Sequence, residues 1–314
     1  MIVRYLEYLA ALARERHFAR AAAACSVTQP TLSAGIKQLE EGLGVLIVER
    51  RQRFVGFTAE GERVLAWAHR VLADYSSLEQ ELSELREGLE GQIRIGAVPV
   101  SLPAVALLTA PFAARHPRTR FEVISQTSVE IQRALDNFTV DAGITYLDNE
   151  PLSKVRARSL YREHYVVITH DEGSFTGSTS ISWAQAATLP MCLLTPAMQN
   201  RRIIDANFRA AGAEIRAVVE TNSLVTLWSH IRFGHWSTVV PNTFLLLLRQ
   251  QDGIVALPLM EPESSHMLGI VVPDREPESP LTRELLAVAT QLDIGAEIAK
   301  YTLQSWPAMS AALS

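Results

Sequence analysis

From Val64 onward the apolar residues fall at Val64, Ala68, Val71, Tyr75, Leu78, Leu82, Leu85 and Leu89, four and three residues apart in alternation. This is the heptad pattern of a long helix whose narrow apolar stripe packs against another helix. Glu79, Glu81, Glu84, Arg86 and Glu87 flank the stripe, and Gly88 and Gly91 end it at a flexible junction. A chain of 314 residues exceeds what one core usually spans. The pattern therefore divides it into residues 1–58, a linker helix over 59–90, and a larger body over 91–295. The tail, 296–314, carries no pattern that assigns it. Because other units occupy both ends of the helix, its stripe is expected to meet a second copy of the chain.

The segment before the linker reads as three short helices. Tyr5, Leu6, Leu9, Ala10, Leu12 and Ala13 recur at helical spacing, and Phe18 to Ala24 is alanine-rich, which favours helix and close approach. Ser26 or Thr28 then caps a third helix, with Pro30 in the first turn, where a missing N–H costs nothing. Leu32, Ile36 and Leu39 turn inward, and Gln29, Thr31, Ser33 and Lys37 occupy the other side. Such a helix suits a major groove, with its N-terminal residues at base edges and phosphates. Residues 45–58 read as two short strands around a basic turn, whose Arg50, Arg51 and Arg53 suit phosphate or the minor groove.

Phe18…Ala21-Ala22, Val27-Thr28-Gln29-Pro30-Thr31-Leu32-Ser33, Ile36…Leu39-Glu40…Leu43-Gly44, Glu49-Arg50 and Thr58…Gly61 together resemble the LysR-type regulator signature. The resemblance implies a winged helix-turn-helix in which Ser26, Thr28, Gln29, Pro30, Thr31, Ser33 and Lys37 meet DNA and Arg50 to Arg53 form the wing. It implies linker helices that pair between subunits, as a homodimer and further as a homotetramer, with RNA polymerase as a further contact. Two departures stand out. Ala34-Gly35 replaces the basic or amide pair usual after the serine, and Val48 replaces a phenylalanine. Gly35 is expected to weaken the helix by roughly 1 kcal/mol relative to alanine.

The body alternates strands and helices. Gln92–Ala97, Arg120–Ser125 and Asp141–Ile144 form a βαβαβ pattern that predicts a parallel sheet. A second set follows at Tyr165–Thr169, Met191–Leu194, Ala217–Glu220 and Trp236–Val240, and Met267–Val272 returns to the first. The expected fold class is α/β: the winged helix-turn-helix, the linker helix, and a two-lobed Rossmann-like effector domain resembling the type 2 periplasmic-binding fold. Lobe I covers about 91–163 and 267–295, and lobe II about 164–266. Strand ends and helix starts nominate the cleft: Pro99, Val100, Ser101, Leu102, Thr127, Ser128, Thr145, Tyr146, Met198, Gln199, Asn200, Thr221, Asn222 and Ser223. Ser101 is also a candidate helix cap. Hydroxyls, amides and free helix N–H groups suggest a small organic acid or another oxyanion as effector. Asp141 to Pro151 resembles a subgroup associated with formate-oxidation operons.

Charge and composition narrow the function. The net charge of −5 divides into +3 over residues 1–58 and −8 over the rest, so one end is suited to phosphate. Cys25 and Cys192 are the only cysteines, which excludes a disulfide framework and a zinc cluster. Dinucleotide, phosphate-loop, serine-hydrolase and zinc-protease motifs are absent, so an enzyme is not expected, nor is a cofactor. A transport solute-binding protein without DNA function is the main alternative for the body, but no secretory segment opens the chain. No apolar run spans a membrane, and a cytoplasmic location is expected.

Overall fold

A computed structural model describes residues 2–50, 54–171, 175, 177–249 and 253–306. The chain forms two compact units, one of residues 1–89 with Asp136–Thr139 and Pro277–Pro280, the other of the remainder. In the first, helices α1 (Ile2–Glu15), α2 (Phe18–Ala24) and α3 (Gln29–Leu43) precede an antiparallel pair, β1 (Val48–Arg50) and β2 (Phe54–Phe57), and helix α4 (Ala59–Glu87). Leu9, Leu12, Leu32 and Ile36 form its solvent-free centre, and Ala21 and Ala22 let α2 pack closely.

Thr28 is the cap of α3: its side chain accepts from the Thr31 N–H, and Pro30 occupies the first turn. Ser26 is instead a turn residue with left-handed backbone, φ 55°. Gly35 faces inward. A Cβ there would lie 2.7 Å from Tyr8 Cδ2 and 2.9 Å from Tyr5 Cδ1. The glycine therefore brings α3 against the tyrosines of α1, which outweighs its poor helix propensity. Glu40 is also buried, and its Oε1 accepts from the N–H groups of Ile47 and Val48 at 3.0 Å each. One carboxylate thus ties the end of α3 to the first strand of the wing.

The heptad stripe is divided in two. Leu65 and Ala68 belong to the core of the first unit, with Val64 and Leu72 packed beside them. Val71, Tyr75, Leu78, Leu82 and Leu85 are exposed. The helix ends at Glu87, with Gly88 as its cap, so Leu89 lies beyond it. Its 29 residues correspond to about 43 Å.

The second unit holds β3 (Gly91–Ala97), α5 (Leu102–Arg115), β4 (Thr119–Ser125), α6 (Ser128–Asp136), β5 (Ala142–Tyr146) and β6 (Val155–His170). There follow β7 (Ile181–Ser182), α7 (Trp183–Ala186), β8 (Cys192–Leu194), α8 (Gln199–Ala210), β9 (Val219–Thr221), α9 (Leu224–Gly234) and β10 (Thr238–Pro241). The last elements are β11 (Ile254–Met260), β12 (Ser265–Pro273), α10 (Pro280–Gln291) and α11 (Ile294–Ser305). The sheet order is β4-β3-β5-β12-β6-β11-β7, with β10 also on β6. Strand β3 is parallel to β4 and β5, as the βαβαβ pattern predicts, whereas β12 closes the first lobe antiparallel to β5.

The two lobes share a strand. Residues Val155–His164 of β6 pair with β12, and Tyr165–His170 pair with β10 and β11. The sequence marks only the second half, because Val155–His164 carries charged and exposed residues that hide its alternation. Beyond residue 293, α11 buries Ile294, Ile298 and Thr302, so this part of the unassigned tail belongs to the body.

The packing of Gly35 predicts a sign. Gly35→Ala in the full chain should lower the urea midpoint, by about 1–3 kcal/mol of overpacking, although alanine is the better helix former. A raised midpoint would show that the tyrosines yield at no cost.

Candidate functional site

In the first unit, Thr28, Gln29, Pro30, Thr31 and Lys37 are exposed along one side of α3, with Ser26 exposed just before it and Ser33 half-buried. Thr28 and Thr31 share a hydroxyl–hydroxyl hydrogen bond of 2.8 Å, and Lys37 pairs with Glu41 at 3.4 Å. Gln29 keeps its amide at the helix start, one residue after the cap. Arg51 and Arg53 lie outside the described residues, and Arg50 is placed only as backbone in β1.

In the second unit the nominated residues separate into two sets. Thr127 is engaged locally: its N–H and hydroxyl both reach Glu130 Oε2, at 2.8 and 2.9 Å, closing the start of α6. Ser223 caps α9 by accepting from the Thr226 N–H, Thr221 accepts from the Ser223 N–H, and Asn222 is exposed. Ser101 does not cap α5. It lies in a 3₁₀ turn, Pro99–Ser101, that runs into the helix, and its hydroxyl donates to the Val98 carbonyl at 2.9 Å. The turn uses the carbonyl that an extended cap residue would leave free. Pro99, Val100, Ser101, Ser128 and Thr145 are buried, and Leu102 and Met198 are half-buried.

The other set is joined across the lobes. Asn200 Nδ2, on α8, donates to the Tyr146 hydroxyl, at the end of β5, over 3.1 Å. Gln199 Nε2 donates to the backbone carbonyl of Asn149, and Arg202 Nε donates to Glu150 Oε1 at 2.9 Å. The start of α8 in lobe II is thus clasped to residues 146–150 of lobe I.

Behind the clasp lies Glu163, solvent-free on the shared strand. The Tyr146 hydroxyl donates to its Oε2 at 2.9 Å. Thr243 Oγ1 lies 3.4 Å from Oε1 and 3.2 Å from the Val100 carbonyl. The Thr243 hydroxyl is within donating reach of both. Burial pushes the Glu163 carboxyl from 4.5 up to about 8, against the hydrogen bonds from Tyr146 and Thr243, which favour the ionised form. His266 stands opposite it in the β6–β12 register, and its ring lies 6.0 and 6.3 Å from those of Tyr146 and Tyr165. His266 Nδ1 is 3.2 Å from Asp148 Oδ1.

Sequence reasoning nominated Val100, Tyr146 and Asn200 but missed Glu163 and Thr243, which connect them. The available signal was Tyr161-Arg162-Glu163-His164-Tyr165, an acid in phase with two tyrosines. Its charged neighbours hide that phase, and the strand is legible only from Tyr165.

Three polar atoms around the clasp are buried without a hydrogen-bond partner: Thr145 Oγ1, Gln199 Oε1 and Asn200 Oδ1. The start of α8 has no side-chain cap, because Met198 offers no oxygen. Arg201 is committed within lobe II, to Asp205, Glu220 and the Leu194 carbonyl, each at 2.7 Å. Cys192 is buried, which pushes its thiol up to about 11, and no second cysteine belongs to this unit. Among the described residues no cluster of three metal-binding side chains occurs, and no helix is long and apolar enough to cross a membrane.

Comparison with known proteins agrees with both halves of the chain. Residues 3–62 match the bacterial regulatory helix-turn-helix protein model of the lysR family, and residues 86–293 match the LysR substrate binding domain. The DNA-binding transcriptional dual regulator OxyR of Escherichia coli is 30% identical over 282 residues, 90% of this chain and 91% of its own. A hydrogen peroxide-inducible genes activator of Pectobacterium carotovorum is 29% identical, covering 90% of this chain and 92% of its own. A full-length OxyR variant of Pseudomonas aeruginosa superposes with a TM-score of 0.73 at 25% identity, over 93% of this chain and 97% of that one. The chain is a DNA-binding transcription regulator with an effector-binding body. It belongs to the LysR family. The relatives are regulators rather than enzymes, and the matched head sets aside a free-standing solute-binding protein.

Two substitutions test the buried acids. Glu40→Leu leaves the Ile47 and Val48 N–H groups without their acceptor and should cost about 1–3 kcal/mol in chemical denaturation. An unchanged midpoint would mean other groups replace it. Folded Glu163 holds its proton up to about pH 8, whereas the unfolded chain releases it near 4.5. Its contribution to stability is therefore complete below about 4.5 and lost as the pH rises to about 8. Glu163→Gln should flatten the fall in melting temperature between pH 6 and 8.5, and an equally steep fall would remove this assignment.

Proposed function

We propose that the protein binds operator DNA as a paired regulator and that a small organic acid or related oxyanion, held between its lobes, alters that binding. The single observation behind the sensing role is the set of buried, unpartnered polar atoms at the clasp, contributed by β5 and α8. Buried polar groups without partners are costly, and a polar ligand supplies the missing bonds. The uncapped start of α8 favours an anion. Formate is the smallest acid to test, since residues 141–151, which suggest a formate operon, include the lobe I side of the clasp.

Peroxide-inducible relatives raise thiol oxidation as a second reading. The buried Cys192 counts against it, because a thiol pushed up to about 11 is almost entirely protonated at neutral pH, and thiolate is the reactive form. Non-covalent binding is therefore preferred. Such a ligand acts only through its differential affinity for two arrangements of the protein.

On DNA, α3 enters the major groove with Gln29 and Thr31 leading. The exposed stripe from Val71 to Leu85 pairs with its counterpart in a second copy, so two heads meet a two-fold symmetric site. A tetramer and contact with RNA polymerase extend the same reading.

Gln29→Ala should weaken binding to the upstream region of the protein's own gene by about 1–3 kcal/mol while leaving the fold unchanged. Equal affinity and sequence preference in a titration would remove Gln29 from base reading. Leu78→Glu with Leu82→Glu should yield a monomer in light scattering and lose high-affinity retardation, and a persistent dimer would place the pairing elsewhere.

A further inference from the structure

The two unpartnered amide atoms at the clasp share a polarity. Asn200 spends its NH₂ group on the Tyr146 hydroxyl, so its free atom is Oδ1. Gln199 gives its NH₂ to a backbone carbonyl, which only accepts, so its free atom is Oε1. Both side chains are at least 97% buried. The orientation of each amide is fixed by its partner, and each presents an acceptor. The Tyr165 hydroxyl sits beside Tyr146 and Asn200 and interacts with both.

The acid behind these acceptors has tyrosines and a second carboxylate around it. Glu163 faces Tyr146 and Asp148 from β5 and its loop, Tyr161 and Tyr165 on its own strand, and His266 from β12. Thr243 and Asn200, from the two remaining elements against it, carry no charge. Of the nearby arginines, Arg201 is held by two carboxylates, Arg202 by Glu150, and Arg162 meets Asp148. A plain carboxylate satisfies the uncapped start of α8 but gives nothing to Oδ1 and Oε1. An ammonium group donates three hydrogen bonds and places a positive charge before an unpaired acid.

We propose that the effector carries a cationic amino group as well as its acid, the ammonium seated on Asn200 Oδ1 and Gln199 Oε1 in front of Glu163. The inference rests on the reading of the cleft as the effector site and adds the ligand class, an amine-bearing carboxylic acid. An ammonium nearby favours ionised Glu163, whose proton leaves to the buffer as the ligand enters.

Matched pairs test this on the full chain at pH 7: glycine and acetate, L-alanine and propionate, L-glutamate and glutarate, L-phenylalanine and 3-phenylpropionate. Thermal shift finds binders, and calorimetry in two buffers of different ionisation enthalpy counts released protons. In at least one pair the amine-bearing member should bind about tenfold or more tightly than its partner, with proton release. Glu163→Gln, nearly isosteric with the neutral acid, should abolish the proton release and reduce the preference. Asn200→Leu should reduce the preference by a different route. Equal or tighter binding of the deaminated acids overturns the amine and leaves the acid-binding cleft standing. An amine preference untouched in both variants also overturns the assignment. If no member of any pair binds, the amine and the acid-binding cleft fall together.

Discussion

Glu163 is a carboxyl group with no cation beside it, at the point where one strand passes from the first lobe to the second. Charged, it would carry a large desolvation penalty. Hydrogen bonds link Asn200 to Tyr146, both Tyr146 and Thr243 to Glu163, and Thr243 to the Val100 carbonyl. The network gathers residues from β5, β6, α8 and the turns before α5 and after β10. A hydrogen-bonded network of this kind specifies an arrangement more sharply than apolar packing does, because each member has only one partner of suitable polarity.

In the head, a buried side chain plays a joining role of another kind. Glu40 receives two backbone N–H groups and ties the end of α3 to β1. Thr58 extends the link, donating to the Leu46 carbonyl at 2.6 Å and accepting from the Gly61 N–H at 2.9 Å. A Cβ at Gly61 would overlap the Ile47 carbonyl, which explains the glycine in the first turn of α4.

These contacts also explain what became of the residues nominated from sequence. Thr28 and Pro30 were legible because a cap and a first-turn proline act within four residues. Ser101, Thr127 and Ser223 looked equivalent as helix starts, yet only backbone geometry separates a cap from a turn. Gly35 read as a weakness in the recognition helix, and the facing tyrosines of α1 make it a packing requirement. Glu163 sits among charged neighbours along the chain and among tyrosines in space, and only the second environment governs its chemistry.

By itself the sequence determined the helix-turn-helix, the heptad helix and the alternating α/β body. Each is written in periodicity or in motifs a few residues long, where local stereochemistry decides the outcome. Tertiary structure alone decided that β6 serves both lobes, that the stripe of α4 is half core and half exposed, and that α11 completes the body. It also decided the polarity of the cleft. That property arises from partners 17 to 143 residues apart, and which atom of an amide remains free is known only when the atom that it gives away is seen.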